Sequence, residues 1–189
     1  MTRIIAGTAQ GRQLRAPEGR DTRPTSDRVR EALFSRLEHQ RWLDGTRVLD
    51  LYAGSGALGL EAVSRGAASA LLVEHDAATA RLVRGNVEAT GLSGVRVVAD
   101  RVERALARPP AEPFDLVFLD PPYALADHVL NRALALLADG GWLADPAAVV
   151  VERGRRSAEP DWPPGLVSAG DRSYGTTHLY FAETAPQPA

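Results

Sequence analysis

The stretch Phe-Asp-Leu-Val-Phe-Leu-Asp-Pro-Pro-Tyr, residues 114–123, constrains the fold of this chain more than any other. Its first six residues form a short, mostly apolar run bounded by turn residues, which is typical of a strand buried on both faces in a parallel sheet. The strand must end at Pro121, because proline has no amide hydrogen to donate to a neighbouring strand. The loop that follows therefore holds Asp120 and Tyr123 at the carboxyl edge of a sheet, where open α/β folds bind their ligands.

Strand and helix signals alternate along the chain from residue 44 onward. Strands are predicted at 46–52, 70–74, 95–99, 114–119 and 147–152, and helices at about 57–65, 77–90 and 127–137, with a short helix after residue 100. The closing strands, 166–169 and 177–182, have no helical segment between them, so they are expected to pair antiparallel. This order predicts an α/β fold of the Rossmann-like, doubly wound kind, with a mainly parallel sheet and right-handed crossovers.

An N-terminal extension precedes this alternating pattern. Residues 2–6 and 12–15 are predicted to pair as a β-hairpin, and a helix capped by Thr25 or Ser26 is predicted over about 27–39. The apolar stripe of this helix is expected to pack on the main body, and it consists of Val29, Ala32, Leu33 and Leu37. Arg28 is predicted to lie off the centre of the stripe and Arg30 further off.

Charge is distributed unevenly, although the formal net charge is only −2. Residues 1–30 contain seven arginines and three acidic residues, whereas the rest of the chain contains 15 arginines and 21 acidic residues. Arginine presents a rigid fork of donors that fits phosphate oxygens. The basic arm therefore indicates either a phosphate-bearing partner or a solvated surface, and charge alone does not separate these interpretations.

Composition excludes several classes of protein. The chain has no cysteine, which excludes disulfides, thiolate metal sites and cysteine nucleophiles. No apolar run approaches the ~18 residues of a membrane span, and the N-terminus lacks the longer apolar core of a signal peptide. We expect a cytoplasmic protein, and a monomer because no coiled-coil or interface stripe is evident.

A glycine-rich loop follows the predicted strand 46–52. Gly54, Gly56 and Gly59 fit a tight turn that lets the backbone approach a ligand, and with Glu74 downstream they also fit a dinucleotide site. Asp50 favours a different ligand, because its carboxylate would repel a pyrophosphate and attract the amine and sulfonium of S-adenosylmethionine. The alternative interpretation is that Asp50 merely caps the turn.

Acidic residues end the next two predicted strands. Glu74 offers two acceptor oxygens for both hydroxyls of a ribose, the alternative being an exposed acid at a strand end. Asp100 can accept a hydrogen bond from an adenine amino group, while the backbone of Arg101 and Val102 reads the edge of the ring. Asp100 also fits the N-cap of the short helix that follows it.

The residues from Asp120 to Tyr123 suit methylation of an exocyclic amine on a base. Such an amine conjugates its lone pair into the ring and is a poor nucleophile. The Asp120 carboxylate and the Pro121 carbonyl can accept its two hydrogens and so free the lone pair, which is catalysis by positioning and electrostatics. Tyr123 can stack on the target base once the base leaves its helical stack. The alternative interpretation is a proline-stiffened turn with a solvated acid.

In these motifs the chain resembles the class I S-adenosylmethionine-dependent methyltransferases that act on amines. More narrowly, it resembles the RsmD family, which methylates the N2 amine of one guanine in bacterial 16S ribosomal RNA. The matching stretches are residues 3–7 with Gly11 and Arg12, then 23–34, 50–59, 73–74 and 119–123. The stretch 23–34 is the more specific marker, because the glycine loop and the Asp-Pro-Pro-Tyr motif are shared with many amine methyltransferases.

The resemblance implies a seven-stranded sheet with an antiparallel C-terminal strand. It also implies S-adenosylmethionine as the cofactor, S-adenosylhomocysteine as the product, no metal, and a 16S rRNA substrate within an assembling or assembled 30S subunit. We therefore expect an N-terminal hairpin and helix that contacts RNA (1–43), a catalytic domain (44–183) and a frayed tail (184–189).

Three groups of site residues are expected. The catalytic residues are Asp120, Pro121, Pro122 and Tyr123. The cofactor-binding residues are Thr25, Asp50, Tyr52, Ala53, Gly54, Ser55, Gly56, Gly59, Glu74, His75, Asp100, Arg101 and Val102. The RNA-binding residues are Arg3, Arg12, Arg15, Arg23, Arg28 and Arg30.

Two alternatives remain open from the sequence. A DNA adenine-N6 methyltransferase would use the same Asp-Pro-Pro-Tyr motif. Such an enzyme also needs a sizeable element that recognises the DNA sequence, and little of this chain lies outside the predicted core. A non-catalytic RNA-binding protein that retains the fold is the other alternative. The presence of Asp50, Glu74 and Asp120 together argues against it.

Overall fold

The computed structural model describes residues 2–17 and 27–186, which form a two-stranded hairpin, a seven-stranded sheet and flanking helices. The strands are β1 (Thr2–Arg3), β2 (Gln13–Leu14), β3 (Arg47–Leu51), β4 (Ser69–Glu74), β5 (Val95–Ala99), β6 (Phe114–Leu119), β7 (Leu143–Gly154), β8 (Leu166–Tyr174) and β9 (Thr177–Thr184). The helices are α1 (Asp27–His39), α2 (Ala57–Ser64), α3 (Ala77–Thr90), α4 (Val102–Leu106) and α5 (Asp127–Asp139). Within the described ranges, no helix is both long and apolar enough to cross a membrane.

The strands of the large sheet lie in the order β5-β4-β3-β6-β7-β9-β8. Strands β3 to β7 are parallel, whereas β9 runs antiparallel to both of its neighbours. The predicted Rossmann-like α/β fold with seven strands and an antiparallel C-terminal strand is thus confirmed. The direction of chain progression reverses between β3 and β6, so the loops after these two strands diverge and leave a crevice at the carboxyl edge.

Both faces of the central strands are buried. Val48 and Phe118 belong to the apolar cluster that includes α1, α2 and α3, whereas Leu49 and Val117 belong to the cluster that includes α4 and α5. Successive residues of a strand point to opposite faces, so each strand contributes to both clusters. This two-sided burial explains why the sequence of β6 is almost continuously apolar.

Several strand boundaries differ from the prediction. Strand β7 begins at Leu143 rather than at residue 147, and so it includes Pro146. Its pairing with β6 shifts register between Phe114 and Leu116, and an irregularity of this kind accommodates a proline inside a sheet. Strands β8 and β9 are longer than predicted, and each strand of the N-terminal hairpin contains only two residues.

The N-terminal hairpin is held against α2 by buried polar contacts. Glu61 of α2 is fully buried, and its carboxylate accepts hydrogen bonds from the amides of Ile5 at 2.7 Å and Ala6 at 3.0 Å. Gly7 lies against the last turn of α2, where a Cβ atom would come within 1.8 Å of the Ser64 carbonyl oxygen. A residue with a side chain at position 7 would therefore push the hairpin off the helix.

Asn86 of α3 links the hairpin to the glycine-rich loop. Its Oδ1 accepts a hydrogen bond from the Arg15 amide at 2.9 Å, and its Nδ2 donates to the Arg15 carbonyl at 2.9 Å. The same Nδ2 donates to the Ser55 carbonyl at 2.8 Å. The buried side chain of Asn86 thus fixes Arg15, near the end of the described N-terminal arm (residues 2–17), beside the loop that follows β3.

Candidate active site

The loop between β3 and α2 is shaped by left-handed backbone conformations. Tyr52, Gly54 and Gly56 have φ angles of 64°, 57° and 79°. The Asp50 carboxylate turns back under this loop and accepts a hydrogen bond from the Gly59 amide, in the first turn of α2, at 2.9 Å. A Cβ atom on Gly59 would lie 3.2 Å from the same carboxylate oxygen, so glycine permits the close approach.

Asp50 thus fills a position that an anionic ligand often takes. The N-terminus of a helix attracts negative charge, and here the protein supplies its own carboxylate. Asp50 is only 1% exposed, and its burial, together with the negative charge of Glu74, raises its pKa to about 7 despite the hydrogen bond from Gly59. A pyrophosphate at this helix would meet both the occupied amide and a buried carboxyl group.

Glu74 ends β4 and connects two loops. One of its carboxylate oxygens accepts a hydrogen bond from the Gly54 amide at 3.1 Å, and the other accepts one from the Asp76 amide at 2.9 Å. The Nδ1 atom of His75 lies 3.0 Å from the second oxygen. Asp76 in turn caps α3 by accepting a hydrogen bond from the Thr79 amide at 2.7 Å. Glu74 therefore fixes the glycine-rich loop relative to the end of the second parallel strand.

Asp100 follows β5 and is half-buried. Its carboxylate accepts a hydrogen bond from the Arg101 amide at 2.9 Å, and Arg104 Nε lies 3.5 Å away. The N-cap position of α4 is Arg101, so the alternative reading of Asp100 as the N-cap is wrong. Val102 is buried in the first turn of α4 and Arg101 is exposed.

The remaining residues of the loop after β3 are placed by backbone contacts. The Ala53 amide donates to the Val73 carbonyl at 3.0 Å, which keeps the loop close to β4. Tyr52 is half-buried, and its hydroxyl has no hydrogen-bond partner among the described residues. Burial and the charge of Glu103 raise the pKa of this hydroxyl above its ordinary value.

Asp120 follows β6, next to a second acidic side chain that sequence reasoning missed. Leu119 of β6 pairs with Val151 of β7, so the residues that follow them, Asp120 and Glu152, are neighbours at the same edge. Burial raises the pKa of Asp120 well above its ordinary value, and the negative charges of Glu152 and Asp50 raise it further. The signal was available, because Glu152 is the acid that ends the predicted strand 147–152.

Glu152 is 4% exposed, and its carboxylate also accepts a hydrogen bond from Thr177 Oγ1 at 3.4 Å. Three acidic residues from neighbouring strands, Asp50, Asp120 and Glu152, thus interact electrostatically in the centre of the sheet edge. A proton held by one of them is stabilised by the charge of the others. This arrangement can accept a proton or bind a cationic group.

The loop after Asp120 presents an aromatic ring to solvent. Pro121 is buried, and the Leu125 amide donates to the Pro122 carbonyl at 2.8 Å, which closes a tight turn. Tyr123 is 45% exposed, although tyrosine is a large and mostly apolar side chain. Gly154 lies beside this ring, because a Cβ atom on Gly154 would be 3.6 Å from Tyr123 Cδ1 and 3.8 Å from Cε1. This edge of the ring therefore faces the end of β7, while part of the ring stays open.

The expected RNA-binding arginines divide into three groups. Arg3, Arg12, Arg15 and Arg28 are exposed, and Arg3 forms an ion pair with Asp27 at 3.3 Å. Arg23, and also Thr25 and Ser26, lie outside the described residues. Arg30 alone forms the third group, because its side chain is buried.

Arg30 is only 1% exposed, so the prediction that it lies further off the apolar stripe than Arg28 is wrong. Its Nη2 donates to the Arg3 carbonyl at 2.6 Å and to Asp27 at 2.9 Å. Strand β1 supplies the first acceptor and the first residue of α1 supplies the second, so this guanidinium faces protein and is not available to RNA.

Four of the predicted site residues lie at one edge of the sheet. Asp50 is the last but one residue of β3, Glu74 ends β4, Asp100 follows β5, and Asp120 follows β6 on the other side of β3. Across the described ranges, no group of three or more histidine, aspartate or glutamate side chains is arranged to hold a metal ion.

Comparison with known proteins agrees with this geometry. The family described as Conserved hypothetical protein 95 matches residues 2–183. Ribosomal RNA small subunit methyltransferase D of Escherichia coli K12 is 41% identical over 161 residues, which are 85% of this chain and 79% of that protein. The Haemophilus influenzae protein of the same name is 37% identical over 153 residues, 79% of this chain and 77% of that protein. The solved structure of yhhF from Escherichia coli has 35% identity, covers 98% of both chains and gives a TM-score of 0.86.

Proposed function

The chain belongs to the Conserved hypothetical protein 95 family, the RsmD family of ribosomal RNA methyltransferases, and from this membership we propose its reaction. It transfers a methyl group from S-adenosylmethionine to the exocyclic N2 amine of one guanine in 16S rRNA. The substrate is the RNA within a 30S subunit, and the enzyme acts as a monomer without a metal. The observation that carries the proposal is the rigid Asp120–Tyr123 loop beside a glycine-rich loop that is organised by two buried carboxylates, Asp50 and Glu74.

The protein's own residues fit S-adenosylmethionine better than a dinucleotide. The Gly59 amide at the start of α2, where a pyrophosphate would bind, already donates its hydrogen bond to Asp50. A Cβ atom on Gly54 would meet no atom closer than 3.9 Å, so the loop is open to a ligand at that point. An ionised carboxylate has about four acceptor positions, so Glu74 can accept a hydrogen bond from a ribose hydroxyl as well as from the amides of Gly54 and Asp76. When bound, S-adenosylmethionine supplies an electrophilic methyl group on a sulfonium centre.

Asp120 and Pro121 position the amine. The Asp120 carboxylate and the Pro121 carbonyl accept the two amine hydrogens, which directs the nitrogen lone pair away from the ring. As the nitrogen–carbon bond forms and the carbon–sulfur bond breaks, the nitrogen becomes positive and releases a proton. Asp120 can take that proton, since its pKa is raised by burial and by Glu152 and Asp50. Tyr123 stacks on the extruded base.

The exposed arginines of the N-terminal arm supply contacts to RNA phosphates. Arg3, Arg12, Arg15 and Arg28 are exposed there, and Asn86 fixes the end of the arm near the loop after β3. Thr25 and Arg23 belong to the same segment of sequence.

Methyl transfer to 30S subunits from a strain that lacks this activity tests the proposal. Nucleoside mass spectrometry should find one N2-methylguanine per subunit with the wild-type protein. Asp120→Asn should lower kcat by about 100-fold or more while S-adenosylmethionine still binds by calorimetry, because the variant keeps the shape of the loop but weakens the acceptor. Asp139→Asn, which removes an exposed charge at the end of α5, is the matched control and should remain active. Preferential transfer to adenine in duplex DNA, or equal activity of both variants, would contradict the proposal.

A further inference from the structure

The turn that follows β7 lies directly beside Tyr123. Gly154 ends β7, and a Cβ atom on it would lie 3.6 Å from Cδ1 of the Tyr123 ring. Arg155 is the next residue, and consecutive Cα atoms are about 3.8 Å apart. Arg156 follows it. Two arginines therefore border the aromatic surface that we assign to the target base.

This turn is fixed by hydrogen bonds. The Ser157 amide donates to the Gly154 carbonyl at 2.9 Å, which closes the turn, and the Arg155 amide donates to the Thr176 carbonyl at 2.9 Å. The Tyr180 hydroxyl of β9 donates to the Ser157 carbonyl at 2.8 Å. The backbone that carries the two arginines is thus attached to the β8–β9 hairpin, so only their side chains need to be ordered when a ligand binds.

No acidic residue in the described ranges pairs with the two arginines. Both residues are exposed, and neither forms an ion pair within residues 2–17 and 27–186. Their neighbour Arg153 differs, because it is 4% exposed and paired with Asp127 at 2.7 Å. Arg3 in the N-terminal arm is also paired with an acid. Among the described residues, Arg155 and Arg156 therefore present two guanidinium groups without an acidic partner close to an exposed aromatic ring.

We propose that Arg155 and Arg156 bind the backbone phosphates that flank the target nucleotide, and that this turn is an RNA contact separate from the N-terminal arm. The inference rests on the proposed function, since it takes an RNA base to stack on Tyr123. An extruded base stays joined to its own phosphates, so the strand must pass close to the ring. Arginine binds phosphate through a planar fork of donors and can do so without reading sequence.

The double variant Arg155→Ala/Arg156→Ala tests this contact. For single-stranded nucleic acid, each phosphate contact contributes about 0.7 to the slope of log K against log salt, so two lost contacts weaken binding by about 25-fold at about 0.1 M salt. The KM for unmethylated 30S subunits should rise by about this factor. The slope of log KM against log salt concentration should decrease by about 1.4. The kcat at saturating subunits and the calorimetric Kd for S-adenosylmethionine should not change.

Arg84→Ala/Arg96→Ala is the matched control, since both of its residues are exposed and lie on α3 and on the edge strand β5. Strand β5 is separated from β7 by three strands, and the control removes the same charge. A KM equal to that of the wild type in the Arg155/Arg156 variant, or an equal rise in the control, would overturn the inference. Wild-type protein that transfers no methyl group to 30S subunits would instead refute the proposed function, which is a separate outcome of the same assay.

Discussion

Replacement of Glu152 by glutamine should make Asp120 more acidic and move the pH dependence of methyl transfer. Asp120 has a raised pKa because it is buried and because Glu152 and Asp50 repel its ionised form. Glutamine keeps the shape of Glu152 and can still accept the hydrogen bond from Thr177, but it removes one of the two repelling charges. The ionised form of Asp120 is therefore stabilised, and its pKa falls.

The size of this change follows from the spacing of the strands. Neighbouring strands lie about 4.8 Å apart, so the two carboxylates can be treated as charges about 5 Å apart. Their repulsion is about 3 kcal/mol at an effective dielectric constant of about 20 and about 0.8 kcal/mol in water. The pKa of Asp120 should therefore fall in Glu152→Gln, because this repulsion of its ionised form is removed.

Single-turnover transfer rates between about pH 5 and pH 9, with saturating S-adenosylmethionine and 30S subunits, measure this shift. Transfer requires ionised Asp120 as an acceptor, so the rate falls as the pH drops below the pKa of Asp120. In Glu152→Gln this fall should occur at lower pH. Glu183→Gln removes a charge from β9 opposite Ala148, four residues along β7 from Glu152, and should leave the profile unchanged. If the transfer rate of Glu152→Gln falls at the same pH as that of the wild type, or at a higher pH, the electrostatic role of Glu152 is refuted.

Two further predictions concern Asp50 and Tyr123. The pKa of Asp50 is about 7 in the folded protein against an ordinary value of 3.8, so the folded state keeps a proton that the unfolded state releases between these values. The free energy of unfolding should therefore decrease by on the order of 4 kcal/mol as the pH rises through this window. Asp50→Asn should flatten that dependence in urea titrations, and an unchanged slope would contradict the buried-carboxyl interpretation. Tyr123→Ala should lower methyl transfer to 30S subunits by about 5- to 150-fold through lost stacking, whereas Tyr123→Phe should stay within about threefold of the wild type. Equal losses in both variants would assign the role to the hydroxyl rather than to the ring.

The sequence predicted many of the strands and helices because caps, glycine stops and apolar runs lie within a few residues of the elements they define. Helix α3 runs from Ala77 to Thr90 as predicted, since Asp76 caps its start and Gly91 adopts the left-handed conformation that ends it. Strand β6 was predicted to the residue, because a run buried on both faces is apolar at nearly every position and a proline stops it. The start of β7 was not predicted correctly. Pro146 indicates the end of a strand, but the irregular pairing of β7 with β6 accommodates this proline.

The N-terminal arm was harder to predict from its residues. Its arginines indicated a phosphate-bearing partner or a solvated surface, but Arg30 is buried and Arg3 is paired with Asp27. Which arginine is buried depends on how the arm folds over α1, and that path is set by contacts far along the chain. Glu61 and Asn86 make these contacts through buried hydrogen bonds to Ile5 and Arg15.

The sequence by itself determined the strands, their order along the chain and the acids that end them, because periodic burial, prolines and caps act over a few residues. Only the tertiary structure decided which of those acids meet. The sheet order places β6 between β3 and β7, which brings Asp120 close to both Asp50 and Glu152 and raises its pKa. The same order places Gly154, which the two arginines follow in sequence, beside Tyr123. Charge interactions depend on distance and burial, and neither is encoded in the spacing of residues along one strand.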